Sequence, residues 1–94
     1  MKFIYPAIFS RRPDGTFEGW FPDLDQCTAH GATLEEAVEN ANESATRWLT
    51  LEIDEMEEGD TLPPVTDPRD IVLKEGEVVR TISVTYRFYD GWEE

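Results

Sequence analysis

The strongest pattern in the chain is a run of apolar residues with helical spacing between residues 33 and 59. Thr33 and Glu36 have the spacing of a capping box at its start, and Gly59 favours a left-handed end. Apolar side chains recur at intervals of three and four residues, which places them on one face of a helix: Leu34, Val38, Ala41, Ala45, Trp48, Leu49, Ile53 and Met56. The pattern predicts one long helix whose apolar face covers a sheet.

The second half of this predicted helix is unusually acidic. Glu52 falls on the apolar face, so either the helix extends past the edge of the sheet or a carboxylate is buried. Unpartnered burial costs several kcal/mol, which favours the first alternative. Residues 51–60 contain no basic residue, although negative charge near a helix C-terminus is unfavourable by about 0.3–1 kcal/mol per charge. These charges are typical of a solvated surface, and they are also candidates for binding a basic partner.

Apolar runs and turn residues predict four strands around the helix. Residues 3–9 are apolar on both faces, and Asp14-Gly15 predicts a hairpin turn over residues 10–16. The second strand is expected over residues 16–21, a short third strand near residues 26–29, and the last strand over residues 77–88. Most of the aromatic residues are predicted to form the core under the helix, namely Phe3, Phe9, Phe17, Phe21 and Trp48.

The order of elements is therefore β-β-β-α-β, which predicts an α+β fold with one mixed sheet covered on one face by the helix. Because a helix joins the third and fourth strands, the last strand is expected to run parallel to the first. Pro6 in the first strand indicates an edge position or a bulge, since proline cannot donate to a strand ladder. Ile4, Ile8 and Trp20 fall on the uncovered face, and such a patch is typical of an interface.

Length and charge limit the function classes. The chain has 94 residues, which fits a single domain over 1–94. It has 21 acidic against 8 basic residues and a net charge of −13, so direct binding to nucleic acid is not expected from this chain. An acidic protein of this size more naturally binds a basic protein.

Cysteine and hydropathy patterns indicate a cytoplasmic protein. Cys27 is the only cysteine, so neither a disulfide framework nor a cysteine-based metal site is expected within one chain. No run of residues is long and apolar enough to span a bilayer. The apolar start is interrupted by Pro6 and followed by Arg11 and Arg12, unlike a cleaved signal peptide.

Enzymatic chemistry is not expected. A metal-dependent nuclease needs clustered carboxylates, and residues 3–9 contain none. His30 has no partner typical of a catalytic triad and is interpreted as a turn residue before Gly31, while Cys27 has no evident base. The acidic run lacks the ligand spacing of a calcium loop. We therefore expect no catalytic residues, no metal and no cofactor.

Several segments resemble the HicB-like antitoxin family. Shared features before the helix are Tyr5-Pro6-Ala7, Asp14-Gly15, Phe17, the segment 19–24 (Gly-Trp-Phe-Pro-Asp-Leu), Cys27-Thr28 and His30-Gly31. Within the helix and after it they are the segment 33–37 (Thr-Leu-Glu-Glu-Ala), Asn40-Ala41, Leu62-Pro63-Pro64, Asp70-Ile71 and the strand near residues 78–86. Together these features cover most of residues 3–86. The segment Phe-Pro-Asp-Leu (21–24) followed by Gly-x-Thr-x-x-Glu-Ala (31–37) is fairly specific as a combination, whereas either segment alone is a weak signal.

The resemblance implies a partial ribonuclease-H-like fold and a role as a type II antitoxin. Members of this family bind a small basic HicA-like toxin, which cleaves mRNA with a histidine, and mask it. Many members continue into a DNA-binding domain that recognises the operator. We do not extend operator binding to this chain. The alternative hypothesis is a solitary homo-oligomeric HicB-like domain that acts as an interaction module with no toxin partner.

Two sets of residues are predicted to form contacts. Toxin-binding candidates lie after the second strand and at the end of the helix: Trp20, Phe21, Pro22, Asp23, Leu24, Asp54, Glu55, Glu57 and Glu58. Candidates for a homo-oligomer interface lie on the uncovered face and at the end of the chain: Ile4, Ile8, Trp20, Tyr86, Phe88 and Trp92.

Overall fold

The computed structural model describes residues 2–57, 59 and 61–85. Three strands come first, β1 (Lys2–Arg11), β2 (Phe17–Trp20) and β3 (Thr28–Gly31), and they are followed by the helix α1 (Leu34–Glu55). A short 3-10 helix (Pro68–Asp70) precedes the last strand, β4 (Glu77–Thr85). The predicted β-β-β-α-β order and α+β class are confirmed.

The sheet has the order β3-β2-β1-β4, and each neighbouring pair is antiparallel. The prediction of a mixed sheet, with the last strand parallel to the first, is therefore wrong. After α1 the chain lies near the start of β1, where the Tyr5 hydroxyl bonds the Pro63 carbonyl. The connection then crosses the length of the sheet, because β4 begins with Glu77 opposite Ser10. The chain thus runs along the sheet twice between β3 and β4, once as α1 and once as this connection. As a result β4 runs antiparallel to β1 instead of parallel to it.

The helix begins as predicted but ends earlier. The Thr33 hydroxyl accepts a hydrogen bond from the Glu36 amide at 3.1 Å, and the Glu36 carboxylate accepts one from the Ala32 amide at 2.6 Å. Met56 is extended and caps the helix, so Gly59, despite its φ of 95°, lies beyond the end. The third strand was expected near residues 26–29, but Gln26 has a φ of 62° and stays in the turn.

The core lies between α1 and one face of the sheet. The helix contributes Ala37, Ala41, Ala45 and Leu49, all fully buried. Small side chains bring its backbone close to the sheet, and a Cβ on Gly31 would lie 2.4 Å from the Ala37 backbone nitrogen. The remaining buried members of the core are Tyr5, Ala7, Phe9, Phe21, Leu24, Cys27, Ala29, Ile82 and Val84, with Phe3, Phe17 and Trp48 packed partly buried against them. The predicted aromatic core is confirmed.

At Pro6, β1 is locally an edge strand of the sheet. The partner of Pro6 in β4 is Thr81, whereas the pairing of β1 with β2 begins only at Ile8. This part of β1 therefore has a strand neighbour on one side only, which is where a missing backbone donor is tolerated. Of the two predicted explanations, the edge position is correct.

The face of the sheet opposite α1 is called the open face. Strand alternation and the observed register place the following residues along it: Ile4, Pro6, Ile8, Trp20, Thr28, Val79, Thr81 and Ser83. Ser10, Glu18, His30 and Glu77 lie at one end of the same face. Among the described residues no helix packs against it, as the sequence predicted.

Candidate partner-binding surface

The segment between β2 and β3 is a compact loop anchored in the core. Two backbone hydrogen bonds within the loop hold its ends together. The Phe21 amide donates to the Cys27 carbonyl and the Cys27 amide donates to the Leu24 carbonyl, both at 3.2 Å. Phe21 and Leu24 are 4% and 0% exposed. Because these two side chains offer almost no surface to a partner, they are left out of the candidate surface. Pro22 and Asp25 are exposed on the same loop.

Asp23, a predicted contact residue, holds a neighbouring loop in place. Its carboxylate accepts hydrogen bonds from both the backbone amide and the hydroxyl of Thr66, the first at 2.8 Å. Nearby, the buried Tyr5 hydroxyl donates to the Pro63 carbonyl at 2.7 Å. Burial, and secondarily the Asp23 carboxylate, raise the pKa of Tyr5. Asp23 thus has an identified structural role at this end of the molecule.

A hydrogen bond joins this loop to the second half of the helix. The Trp48 indole Nε1 donates to the Asp25 carbonyl at 2.9 Å. The last helical residue, Glu55, lies about 10 Å further along the axis at 1.5 Å per residue. The structure therefore brings the two predicted toxin-binding segments, the loop after β2 and the end of α1, to the same end of the molecule.

That end carries a cluster of exposed carboxylates, which we call the acidic end. It consists of Asp25, Glu52, Asp54, Glu55 and Glu57. No basic residue lies in the last turn of α1, and the helix C-terminus adds its own partial negative charge. An exposed apolar side chain, Leu51 at 61% exposure, lies on the helix between Arg47, with which it lines a shallow pocket, and the carboxylates of Asp54 and Glu55. The combination of an apolar centre and a charged rim is typical of protein-binding surfaces.

The position of Glu52 resolves the alternatives that the sequence left open. Glu52 is exposed, and the fully buried face of α1 ends at Leu49. The last turns of the helix therefore extend past the covered part of the sheet, and no carboxylate is buried there.

The opposite end of the sheet carries the only histidine of the sequence, beside the carboxylate of Glu18. His30 lies within β3, so its interpretation as a turn residue is wrong; the predicted strand was placed two residues too early. Its Nε2 is 3.9 Å from the Glu18 carboxylate, which also pairs with Arg12. Glu18, His30, Trp20 and Thr28 line a shallow cavity of about 310 Å³, and neither a serine nor a cysteine is among its lining residues.

Cys27 is buried in the core. Burial raises the pKa of the Cys27 thiol, which disfavours the thiolate needed for nucleophilic chemistry. Within residues 2–57, 59 and 61–85, no three His, Cys, Asp or Glu side chains are grouped closely enough to hold a metal ion. In the same ranges, no helix is long and apolar enough to cross a membrane.

The predicted oligomer residues fall partly on the open face. Ile4 is 49% exposed and Ile8 is 7% exposed, while Trp20 is half-buried beside Ile8. Tyr86, Phe88 and Trp92, together with the toxin-binding candidate Glu58, lie outside the described residues.

Sequence reasoning missed the hydrogen bonds that build this end of the molecule. The signals were the polar groups of Tyr5 and Trp48, since a tyrosine hydroxyl or an indole N–H that packs against a core normally finds an acceptor. The acceptors were backbone carbonyls of Pro63 and Asp25, and a backbone carbonyl has no sequence signature.

Comparison with known proteins identifies relatives across most of the chain. The family described as HicB-like antitoxin of bacterial toxin–antitoxin systems matches residues 5–89. No curated protein matches the chain. Among solved structures, a chain of a HicA3 and HicB3 toxin–antitoxin complex is 28% identical with a TM-score of 0.66, and the match covers 88% of this chain and 99% of that one.

Two further structures support the fold. The N-terminal domain of Burkholderia pseudomallei antitoxin HicB matches with a TM-score of 0.75 at 20% identity, over 88% of this chain and 99% of that one. A toxin–antitoxin complex from Streptococcus pneumoniae matches with a TM-score of 0.67 at 20% identity, over 100% of this chain and 79% of that one.

Proposed function

This chain belongs to the HicB-like antitoxin family, and from that premise we propose that it binds and neutralises a HicA-like, mRNA-cleaving toxin by masking it. The family is a class of antitoxins and not a class of enzymes. One related structure is a complex of HicA3 with HicB3, which supports a toxin of the HicA type as the partner. The toxin acts on mRNA, so the pair functions in the cytoplasm.

The observation that carries the proposal is the acidic end. Leu51 and the carboxylates around it form an exposed patch at the end of α1, on a chain whose net charge is −13. An RNA-cleaving protein needs basic side chains to hold the phosphate backbone. A cluster of carboxylates is complementary to such a surface and accelerates the encounter by electrostatic steering.

Inhibition in this proposal requires no bond to be broken. The carboxylates of the acidic end occupy the basic surface that would otherwise bind RNA phosphates, and the body of the antitoxin excludes the RNA sterically. Leu51 contributes apolar contact at the centre, where interface energy is usually concentrated. Pro22, next to the acidic end on the loop after β2, extends the same surface.

The experiment pairs this chain with a candidate HicA-like toxin, a small basic protein to be sought in the reading frame beside its gene. Co-expression is expected to restore the growth of cells that produce the toxin, and the purified antitoxin is expected to stop RNA cleavage at a one-to-one ratio of binding sites. Absence of both binding and rescue would contradict the proposal and would favour the solitary interaction module.

A further inference from the structure

The outer edge of β4 presents a row of backbone groups to its surroundings. Phe21 and Cys27 continue the register of β2 with β3 and share a backbone hydrogen bond. Because hydrogen-bonding directions alternate along antiparallel strands, this bond fixes the direction at every position through β2 and β1 into β4. By this alternation the amides and carbonyls of Val79, Thr81 and Ser83 point away from β1. β4 is the last strand in the sheet order, and no strand within the described ranges pairs with them.

Side chains cover the two ends of this row. The Asn42 side-chain amide donates to the Ser83 carbonyl at 2.5 Å, and the Arg80 guanidinium donates to the Val79 carbonyl at 3.1 Å. Thr81 lies between the two carbonyls and is exposed. A carbonyl oxygen has two lone pairs, so each of the covered carbonyls can still accept a second hydrogen bond. The edge is therefore able to receive another strand centred on Thr81.

A groove follows the helix side of this edge. It has a volume of about 480 Å³ and is lined by Leu34, Glu35, Val38 and Glu39 of α1 and by Arg80 of β4. Leu34 and Val38 are half-buried and offer apolar surface, while the two glutamates are exposed. A strand edge beside a helix with a groove between them is the arrangement that takes up an extended peptide by strand addition.

The other edge of the sheet is less suited to a partner strand. β3 has 4 residues, against 9 in β4. The His30 carbonyl, which points outwards from β3, accepts a hydrogen bond from the Asn40 side chain at 2.6 Å. A Cβ on Gly31 would meet the Ala37 backbone, so α1 lies in direct contact with this strand. Of the two edges, β4 is the longer one and the one separated from α1 by a groove.

Charge and strand alternation define the segment that fits this edge. On the helix side an added strand faces Glu35 and Glu39, which lie one helical turn apart, so that their like charges repel each other and attract basic side chains. On the open face its neighbours are Val79, Thr81 and Ser83, which are uncharged. A segment that alternates basic with β-branched residues meets both requirements. A second copy of this chain, with a net charge of −13, is a poor match.

We infer that the outer edge of β4 and the groove beside it form a docking site for an extended basic segment of another polypeptide. The segment adds as a fifth strand to the four-stranded sheet, antiparallel to β4 like every other pair in that sheet. Its basic side chains lie in the groove, and its β-branched side chains lie beside Thr81 on the open face.

This docking site is separate from the acidic end. Val38 and Asp54 are about 24 Å apart along the helix axis at 1.5 Å per residue. The inference therefore goes beyond the proposed toxin binding and does not depend on it.

The probe is a synthetic peptide of the same length as β4, 9 residues, that alternates valine with lysine and has blocked ends. We expect the full chain to bind it, and to bind a valine–glutamate peptide about tenfold or more weaker. In the antiparallel arrangement the valines stand opposite Thr81 and its outward-pointing neighbours and form the main-chain bonds to β4. N-methylation of the valine amides should therefore weaken binding by about tenfold or more, whereas N-methylation of the lysine amides should leave it largely unchanged. Fluorescence anisotropy of a labelled peptide measures each affinity.

Hydrogen exchange followed by NMR reports where the peptide binds. In the free chain the amides of Val79, Thr81 and Ser83 should exchange rapidly because they point away from β1, whereas those of Arg80 and Ile82 bond to β1 and should exchange slowly. The valine–lysine peptide should slow exchange at the three outward amides by about tenfold or more and leave the two inward amides unchanged.

Two double variants test the role of the groove. Glu35→Gln with Glu39→Gln removes its two carboxylates, and Glu52→Gln with Glu55→Gln makes the same change in net charge at the acidic end. We expect the first to weaken peptide binding by about tenfold or more. The second should leave binding nearly unchanged, because the acidic end lies well beyond the screening length of about 8 Å at physiological salt. Circular dichroism shows whether each variant folds.

The inference is overturned if the full chain does not bind the valine–lysine peptide, if binding survives N-methylation of the valines, or if both double variants weaken binding equally. Slow exchange of the outward amides in the free chain overturns it as well, because the edge would then already be occupied. A second copy is the occupant if that protection rises with protein concentration, and another part of the same chain if it does not. Peptide binding by a chain that binds no HicA-like toxin supports the inference and contradicts the proposed function.

Discussion

The indole of Trp48 donates a hydrogen bond to the backbone carbonyl of Asp25 at 2.9 Å and so links α1 to the loop that follows β2. These residues are far apart in sequence, and this contact positions the last turns of the helix relative to the rest of the fold. The acidic end begins with Glu52, about one helical turn beyond this contact.

Removal of this bond should weaken the fold by a modest amount. Trp48→Phe keeps an aromatic ring against the core but removes the donor, so we expect the free energy of unfolding to fall by about 1 kcal/mol, plus a contribution from the smaller ring. Urea denaturation measures the change. Trp20→Phe, on the open face, is the matched control. An equal loss in both variants would mean that ring size alone, and not the bond to Asp25, accounts for the effect.

Charge reversal at the acidic end should separate stability from toxin binding. Glu52 and Glu55 are exposed near the C-terminus of α1, where lysine is favoured by the helix dipole by about 0.3–1 kcal/mol per charge at low salt. The double variant Glu52→Lys, Glu55→Lys should therefore be no less stable than wild type. Its association with a HicA-like toxin should nevertheless slow by about tenfold or more at low salt, with a smaller effect at high salt.

The control for this variant is Glu39→Lys with Glu43→Lys, which makes the same change in net charge at exposed positions in the first half of α1. Stopped-flow association rates at several salt concentrations compare the two. If both double variants slow association equally, overall charge controls binding and the acidic end has no special role.

The fold was largely predictable because its signals are local. The helical repeat, the Thr33 cap and the Asp14-Gly15 turn each act within a few residues, and each prediction was confirmed. The direction of β4 was not predictable in this way. It depends on where the connection after α1 leads, and that path is fixed by Tyr5 and Asp23 bonding to Pro63 and Thr66.

The candidate surface was less predictable for a different reason. A surface motif and a core motif can have the same sequence, and Phe21 and Leu24 stand in a segment that was expected to contact a partner. Their backbone turn directs both side chains into the core. The exposure of the acidic end was predictable, because a run of carboxylates without basic partners is too costly to bury.

Close packing of the helix on the sheet makes Gly31 intolerant of a side chain. A Cβ there would lie 2.4 Å from the backbone nitrogen and 2.8 Å from the Cα of Ala37. Backbone atoms cannot rotate away, so Gly31→Ala should force the start of α1 off the sheet and cost about 1–3 kcal/mol. Thermal and urea unfolding measure the loss. Thr28→Ala, at an exposed position of the same strand, should be close to neutral, and a wild-type stability for Gly31→Ala would contradict the observed helix–sheet distance.

Two buried acids predict that stability falls at alkaline pH. Burial raises the pKa of Tyr5 above its ordinary value of 10.0 and that of Cys27 above 9.0. The folded protein therefore holds these protons more tightly than the unfolded chain. This contribution is complete below the ordinary values and is lost as the pH rises through the raised pKa values of the folded state. The free energy of unfolding should accordingly decline from about pH 9 upwards.

The variants Tyr5→Phe and Cys27→Ala test the cause of this decline. Tyr5→Phe should cost about 1 kcal/mol at neutral pH, because the hydrogen bond to the Pro63 carbonyl is lost, yet its stability should fall less steeply than that of wild type above pH 10. Cys27→Ala should flatten the curve from about pH 9. Urea denaturation at a series of pH values gives each slope. Curves parallel to wild type for both variants would show that repulsion among the carboxylates, and not these two buried groups, governs alkaline unfolding.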